Sequence, residues 1–207
     1  MPTSSHRDEG YIKFTCAHEV APAPAHPWLH DLIRIRDDLR RQGLVGLLPD
    51  GIGFGNLSVR VAGSNRFIIS ASGTGRHPTL GPEDFCEVVA FDIGKNRVVC
   101  RGPLPASSES MSHGAVYAAR PDVHAVIHVH DRARFRRLLR EGAPRTPAAA
   151  AFGTPEMARA IGRLAAALPP VAVLAMAGHE DGLLAYGPDL PSARAALADP
   201  AGRAPRE

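Results

Sequence analysis

A short apolar segment ending in two alternating histidines constrains the fold of this chain more than any other feature. Residues 121–131 read Pro-Asp-Val-His-Ala-Val-Ile-His-Val-His-Asp, and their β-branched side chains predict a strand rather than a helix. Alternate residues of a strand point to one face, so His128 and His130 are expected side by side, roughly 6–7 Å apart at the backbone. Two imidazoles at that spacing can bind one Zn²⁺. Two partly exposed histidines at a strand end are the alternative interpretation, and the motif alone does not decide.

A catalytic zinc site needs three protein ligands and one open position. His179 is the candidate for the third ligand, because it follows an apolar strand predicted at residues 171–176, after the small-residue turn Ala177-Gly178. His113 and His124 are instead interpreted as packing groups or as groups that support the ligands. A strand-borne His-x-His together with a distant histidine at another strand end therefore favours a zinc centre.

The composition restricts the class of protein. The chain has 207 residues, 44% of them hydrophobic, which is enough for one domain with a real core. Its net charge is +3, and arginines cluster at residues 132–140, where the absence of an aromatic stacking platform favours a solvated helix over a nucleic-acid surface. Three cysteines without CxxC spacing predict no disulfide framework. Because no apolar run approaches the roughly 20 residues of a membrane span and no signal-peptide core is present, we expect a cytoplasmic protein that binds neither membrane nor nucleic acid.

Hydrophobic periodicity and turn residues divide the chain into alternating helices and hairpins. Helices are predicted at residues 28–42, 108–119, 132–140, 154–168 and 191–197, and strands at 51–61, 66–70, 87–92, 97–101, 123–130, 171–176 and 183–186. Ser107 or Ser108 is the expected N-cap of the second helix, and Thr154 with Pro155 is expected to begin the fourth. This order predicts a three-layer α/β/α domain with a largely antiparallel central sheet.

The two ends of the chain differ from this central domain, which we place at residues 28–199. Residues 1–27 end in the proline-rich tract Ala-Pro-Ala-Pro-Ala-His-Pro, which cannot hold a helix or a strand ladder. They are interpreted as an N-terminal arm that is flexible or packs on a neighbouring subunit. Residues 200–207 are predicted to form a flexible tail.

Several short motifs occur in one order along the domain, and together they resemble the class II aldolase/adducin family. They are Gly55-Asn56-Leu57-Ser58, Ser70-Ala71-Ser72-Gly73, Ser107-Ser108-Glu109 followed by His113 and Tyr117, Arg120-Pro121-Asp122, His128-Val129-His130, Phe152-Gly153-Thr154 and His179. The resemblance extends from about residue 29 to the C-terminus. It implies the class II aldolase fold and a homotetramer with four-fold cyclic symmetry, whose sites lie in clefts between subunits.

The resemblance also implies roles for individual residues. His128, His130 and His179 match the metal ligands, and Glu109 matches the acid/base carboxylate. The residues that match the phosphate-binding positions are Asn56, Ser72, Gly73, Ser107 and Ser108.

General chemistry agrees with these roles. A divalent metal polarises a carbonyl and stabilises an enediolate, and a desolvated glutamate can move the proton. Hydroxyl–glycine loops, one at a helix N-terminus, can donate to a phosphate dianion. Taken alone, Ser107-Ser108-Glu109 can equally be a helix cap with an acid favoured by the helix dipole.

Three departures from the family pattern limit what the resemblance implies. Glu180-Asp181-Gly182 follows the third histidine where the family usually has glycine, so two carboxylates either support an imidazole or alter the charge of the pocket. No tyrosine occurs between His130 and Phe152, where related aldolases place a proton donor. The chain also ends soon after Leu197, without the longer C-terminal segment that closes some family sites.

These features together predict a zinc-dependent or other divalent-metal-dependent lyase. It is expected to cleave or form a C–C bond in a small phosphorylated sugar or keto acid. A decarboxylase, an epimerase or a dehydratase of the same superfamily remains the alternative. A non-catalytic interaction domain like the adducin head is the alternative from another class.

Overall fold

A computed structural model describes residues 12–198, which form five α-helices, ten strands and two short 3-10 helices. The strands are β1 (Thr15–Val20), β2 (Gly46–Leu47), β3 (Gly53–Phe54), β4 (Asn56–Arg60), β5 (Phe67–Ser70), β6 (Phe85–Asp92), β7 (Arg97–Gly102), β8 (Ala125–His130), β9 (Ala172–Ala175) and β10 (Gly182–Gly187). The α-helices are α1 (Leu29–Arg41), α2 (Ser110–Ala119), α3 (Arg132–Arg140), α4 (Pro155–Ala167) and α5 (Leu190–Ala198). The 3-10 helices cover Thr74–Arg76 and Pro82–Asp84.

Eight of these strands form one sheet in the order β1-β7-β6-β5-β4-β8-β10-β9, while β2 and β3 form a separate pair. Every pairing in the large sheet is antiparallel except that of β1 with β7. The strand that carries the two alternating histidines, β8, lies between β4 and β10, so its backbone is paired on both sides. This central position explains why the segment is almost continuously apolar.

Helices cover both faces of the sheet, which confirms the predicted three-layer α/β/α architecture. On one face, α2 and α4 pack through Met111 and Ile161 against side chains such as Val126 and Leu184. On the other face, α1, α3 and α5 bury a second core, whose members include Leu32, Phe135, Leu197 and Ile127. Because side chains alternate along β8, His128 and His130 project to the same face as Val126, toward α2 and α4.

Part of the segment predicted as an arm, either flexible or packed on a neighbouring subunit, pairs with the sheet of its own chain. Thr15–Val20 is a strand that pairs in parallel with β7 at the edge of the sheet. Its inner side chains explain the difference, because Phe14 is buried in the α2/α4 core and Cys16 packs against the same core. Asn96 also holds this segment, through a bond from its side chain to the Lys13 carbonyl oxygen (2.9 Å). Residues 1–11 and the predicted tail at 200–207 lie outside the described residues.

Two helix starts test the predicted caps with opposite results. Thr154 begins α4 as predicted, its hydroxyl accepting a bond from the Met157 amide at 3.3 Å, with Pro155 at the first position. The prediction that Ser107 or Ser108 caps α2 is wrong, because Glu109 occupies the N-cap position there without a side-chain cap bond. The Ser107 hydroxyl instead accepts a bond from the Asn56 side chain at 2.9 Å.

Across the described residues, no helix combines the length and the apolar character that crossing a membrane requires. Cys16, Cys86 and Cys100 are free thiols at the β1 end of the sheet.

Candidate metal and phosphate site

The fold brings together the three histidines that the sequence predicts as metal ligands. His128 and His130 lie on β8, and His179 lies in the turn between β9 and β10. One ring nitrogen from each can be chosen so that all three lie within 4.8 Å of one another. The ring centroids are 5.1 Å (His128–His130), 5.0 Å (His128–His179) and 4.7 Å (His130–His179) apart.

The turn that carries His179 depends on a glycine that lies between two of the imidazoles. The Gly182 amide donates to the His179 carbonyl oxygen at 2.9 Å, and Asp181 adopts the left-handed conformation (φ 64°) within this turn. A Cβ at Gly182 would lie 3.2 Å from the His179 ring and 3.3 Å from Cε1 of His128, tighter than most such contacts. The lack of a side chain at Gly182 therefore leaves room for the two rings to approach each other.

Glu180 and Asp181, the two carboxylates that depart from the family pattern, are placed by the same turn. Glu180 is exposed and Asp181 half-buried. The backbone carbonyl of Asp181 accepts a bond from the Asp131 amide at 3.0 Å, which links this turn to the end of β8. Among the described residues, the cavity lining includes neither carboxylate.

The environment of the histidines fits a divalent metal. Nδ1 of His128 lies 3.0 Å from the carbonyl oxygen of Leu183, and because a carbonyl can only accept, Nδ1 carries the hydrogen and Nε2 is the nitrogen that would bind a metal. This is the arrangement that orients a metal-binding imidazole. The Phe152 ring stacks on His179 (4.8 Å between centroids, 30° between planes), and Phe54 contacts His130 with the centroids 5.2 Å apart. Three converging imidazoles are a donor set that could hold a divalent metal.

Glu109 lies beside these histidines at the start of α2. Its side chain is only 2% exposed, and Oε1 lies 3.7 Å from Nδ1 of His179. Its other oxygen, Oε2, accepts a bond from the Ser112 hydroxyl at 2.5 Å. The carboxylate is therefore held between the first turn of α2 and an imidazole, within reach of a molecule bound in the cavity.

A cavity of about 250 Å³ extends from this carboxylate across the ends of β4 and β5. Glu109, His128 and His179 line it. So do all five residues predicted to bind phosphate, which are Asn56, Ser72, Gly73, Ser107 and Ser108. Gly73 has a φ of 77°, in the left-handed region, so the loop turns sharply after Ser72. Within the described part of the chain, the lining contains hydroxyls, an amide and backbone groups but no lysine or arginine.

The sequence predicts no role for two aromatic residues of the site. Phe54 and Phe152 both line the cavity and contact imidazoles. Little in the sequence indicates such a role, because each residue is a single phenylalanine followed by a glycine, Gly55 or Gly153. A cation lies behind one of them, since Nζ of Lys13 is 4.0 Å from the centroid of the Phe152 ring.

His113 occupies a sealed position on the same helix as Glu109. Its side chain is fully buried, and its Nδ1 lies 2.7 Å from the Ser58 hydroxyl, which also contacts the hydroxyl of Tyr117 at 2.7 Å. Burial lowers the pKa of His113 to about 3, so the ring is neutral at ordinary pH. His113 is therefore a packing group of the α2 interior, one of the two interpretations offered by the sequence.

Comparisons with known proteins bear on the family and the fold of the chain. A family model described as the Class II Aldolase and Adducin N-terminal domain matches residues 31–199. Methylthioribulose-1-phosphate dehydratase from two strains of Leptospira borgpetersenii serovar Hardjo-bovis is 39% identical over 80 residues, 37% of this chain and 31% of the relative. The aligned part of the chain thus spans less than a third of the length of these curated relatives.

Solved structures share the fold over most of their length. L-fuculose-1-phosphate aldolase from Thermus thermophilus is 26% identical, with a TM-score of 0.56 over 81% of this chain and 83% of the aldolase. YgbL from Klebsiella pneumoniae is 17% identical, with a TM-score of 0.61 over 82% of each chain, a likeness in fold alone. The family match covers most of the chain, and the chain belongs to the class II aldolase and adducin family.

Proposed function

We propose that this protein is a divalent-metal-dependent lyase that cleaves or forms a C–C bond in a small phosphorylated sugar or keto acid. The observation that carries the proposal is the convergence of three imidazoles and a buried carboxylate at one end of a cavity lined by neutral donors. The structural likeness to L-fuculose-1-phosphate aldolase supports the same reaction type.

His128, His130 and His179 would hold the metal, for which Zn²⁺ is the best candidate because zinc favours imidazole ligands with one position left open. When bound, such an ion polarises a substrate carbonyl and stabilises negative charge on its oxygen. The Leu183 carbonyl and the Phe152 ring hold the His128 and His179 imidazoles in place. These contacts fix the ligand orientation before substrate binds.

Glu109 would move the proton at the carbon next to that carbonyl. General acid–base catalysis requires a carboxylate that is held in place and shielded from water. The Ser112 hydroxyl holds one oxygen of Glu109, and 2% exposure provides the shielding. The second proton donor is unassigned, because no tyrosine lies between His130 and Phe152.

The neutral donors at the other end of the cavity would bind the phosphate. The Asn56 side chain donates to the Ser107 hydroxyl oxygen, so the hydroxyl hydrogen of Ser107 can be donated to another acceptor. Ser108 is the next residue, just before the start of α2. Ser72 and Gly73 face the same cavity from the loop after β5. A phosphate dianion at this position would accept from hydroxyls and amides at the start of a ten-residue helix.

A dehydratase is the second candidate, favoured by the similarity to methylthioribulose-1-phosphate dehydratase. Decarboxylation and epimerisation need the same metal and proton carrier, so they remain alternatives within the superfamily. A non-catalytic, adducin-like interaction domain is disfavoured, because it would have no need to keep three histidines and Glu109 around one cavity.

The test is an assay of the zinc-loaded chain with L-fuculose-1-phosphate and methylthioribulose-1-phosphate, followed by mass spectrometry. C–C cleavage gives two smaller products, dehydration a product lighter by one water, decarboxylation a loss of CO₂, and epimerisation no change in mass. We expect metal-dependent turnover that Glu109→Gln removes. A chain without bound divalent metal, inactive on a wider panel of sugar and keto-acid phosphates, would support the interaction domain instead.

The quaternary structure belongs to the same proposal. A cyclic homotetramer would place each cavity in a cleft beside a neighbouring subunit, through head-to-tail interfaces. Light scattering at low micromolar concentration tests this, and a monomer with full metal content and activity would contradict it. The cytoplasmic location stays a prediction from the sequence.

A further inference from the structure

Two arginines are buried in the described part of the chain, and each is bonded to a different part of the fold. Arg36 on α1 is 3% exposed and Arg60 on β4 is 5% exposed. A buried guanidinium keeps its charge, so each must be held by carbonyl or carboxylate oxygens. Arg60 donates to four carbonyl oxygens: that of Ser64 in the turn between β4 and β5, and those of Tyr117, Arg120 and Val123 between the end of α2 and β8. Arg36 has a different set of partners.

The Arg36 guanidinium ties α1 to the loop that follows Ser72 and Gly73. Its Nη2 donates to the carbonyl oxygen of Thr74 at 3.0 Å, and its Nη1 donates to that of Pro78 at 3.3 Å. Nη1 also lies 3.1 Å from Oδ1 of Asp37, which pairs the charge. One rigid group thus fixes both ends of a five-residue segment, Thr74 and Pro78, beside the cavity.

This attachment determines which way the loop faces. Thr74 lines the cavity, and its carbonyl oxygen points toward Arg36 and also accepts from the His77 amide at 3.1 Å. In a trans peptide the C=O and the following N–H point in opposite directions, so the Gly75 amide points away from Arg36. Gly75 is itself a lining residue. The guanidinium therefore holds the Thr74 carbonyl oxygen, which would repel a phosphate, on the side of the loop that faces α1.

We propose that Arg36 is the positioning residue of the phosphate-binding loop, holding the segment after Gly73 so that the Ser72 hydroxyl and the Gly73 amide face the anion. The Ser72 amide already donates to the Pro105 carbonyl oxygen at 2.9 Å. The inference rests on the proposed function, since it assumes that Ser72 and Gly73 bind phosphate. It adds a buried cation behind a wall that has no charged donor of its own among the described residues. The other arginine of this loop, Arg76, is exposed, and its Nε donates to the Gly73 carbonyl oxygen at 3.0 Å.

The test measures the affinity of the zinc-loaded full chain for inorganic phosphate by titration calorimetry. Ser72→Ala, which removes a proposed donor, reports whether phosphate occupies the loop. Arg36→Met should raise the dissociation constant about tenfold, the effect expected when two hydrogen bonds that hold the loop are lost. Arg60→Met is the matched control: it also removes a buried guanidinium, but one away from the cavity, and should leave phosphate affinity unchanged.

Two further measurements separate positioning from general damage. Amide hydrogen exchange at residues 73–80 should become faster in Arg36→Met and not in Arg60→Met, while zinc content stays at the wild-type level in both. Arg36→Lys, which keeps the charge but not the forked donors, should weaken phosphate binding by an intermediate factor, and it decides the matter if Arg36→Met does not fold.

The outcomes distinguish the inference from the function on which it rests. If wild type does not bind phosphate, or Ser72→Ala binds as well as wild type, the phosphate site is wrong and the role of Arg36 falls with it. If Ser72→Ala weakens binding while Arg36→Met and Arg36→Lys bind like wild type, only the inference about Arg36 is overturned.

Discussion

Helix α2 places polar side chains in two neighbouring environments, one open and one sealed. At its start, Glu109 lies beside His179 and lines the cavity. One turn later, His113 is equally buried but contacts the hydroxyl of Ser58, within an interior that includes Tyr117. Both groups are held by hydroxyls, from Ser112 and Ser58 respectively.

The difference shows that burial alone does not identify a functional ionisable group. Glu109 faces a cavity and a cluster of imidazoles, where the proposed proton transfer to a bound molecule would take place. His113 faces a hydroxyl and apolar core, and its pKa is lowered to about 3 by burial alone. A perturbed pKa points to function only where geometry gives the proton somewhere to go.

The largest expected effect comes from breaking the metal cluster. His128→Ala should lose stoichiometric zinc and lower activity at least about a thousandfold, because the metal supplies several kcal/mol of charge stabilisation. His113→Gln is the matched control and should keep its zinc. Elemental analysis of both purified variants is the measurement. Full zinc in His128→Ala would remove His128 from the ligand set.

Glu109→Gln is expected to have the next largest effect. Glutamine has the shape of glutamate, and its amide oxygen can accept the bond from the Ser112 hydroxyl. The fold and the zinc content should therefore persist. Turnover should fall by about 10²–10⁴, the usual contribution of a general acid–base group. Ser112→Ala, which removes only the hydroxyl that holds the carboxylate, should cost less. Turnover of Glu109→Gln equal to that of wild type would make Glu109 a helix-capping acid.

The sealed histidine predicts a pH dependence of stability rather than of activity. The pKa of His113 is about 3 in the folded chain, below the ordinary value of about 6.5, so the unfolded state takes up this proton first as the pH falls. Its contribution to stability is complete above about pH 6.5 and is lost toward pH 3, at up to roughly 1.4 kcal/mol per pH unit. Urea unfolding of metal-free wild type and His113→Gln should show the wild type losing stability relative to the variant over this range. A difference independent of pH would contradict the account.

The smallest predicted effect concerns the contact between Lys13 and the Phe152 ring. Nζ of Lys13 lies over the Phe152 ring, which stacks on His179, so loss of this cation–π contact in Lys13→Met should cost about 0.5–1 kcal/mol of stability. Zinc content should not change. Lys95→Met, at an exposed lysine in the turn between β6 and β7, is the control. A loss of zinc in Lys13→Met alone would show that the N-terminal segment helps to build the metal site.

The sequence predicts those parts of the molecule that local patterns determine. Alternating apolar residues define β8 and the shared face of His128 and His130, and Thr154-Pro155 defines the start of α4. The resemblance to a family then relates these strands to residues far away in the chain, such as Asn56, which pairs with His128 across neighbouring strands.

The remaining parts depend on tertiary contacts that no local pattern contains. β1 follows from the burial of Phe14 and from pairing with a strand some 80 residues away, although its sequence is polar and precedes a proline-rich tract. Arg36 belongs to a helix that the sequence predicts from its periodicity, and no local pattern indicates that its guanidinium bonds to the loop at Thr74. Glu109 takes the N-cap position of α2, while the Ser107 hydroxyl accepts from Asn56 on a distant strand.

A crystal structure of the zinc-loaded chain, with anomalous diffraction recorded at the zinc edge, tests the central claim most directly. We predict one strong peak bonded to His128, His130 and His179 at about 2.0–2.1 Å, with its open side toward Glu109 and the cavity. A fully zinc-loaded protein whose peak lies elsewhere, for example at the Cys16 and Cys100 thiols, which are 3.6 Å apart, would contradict the account.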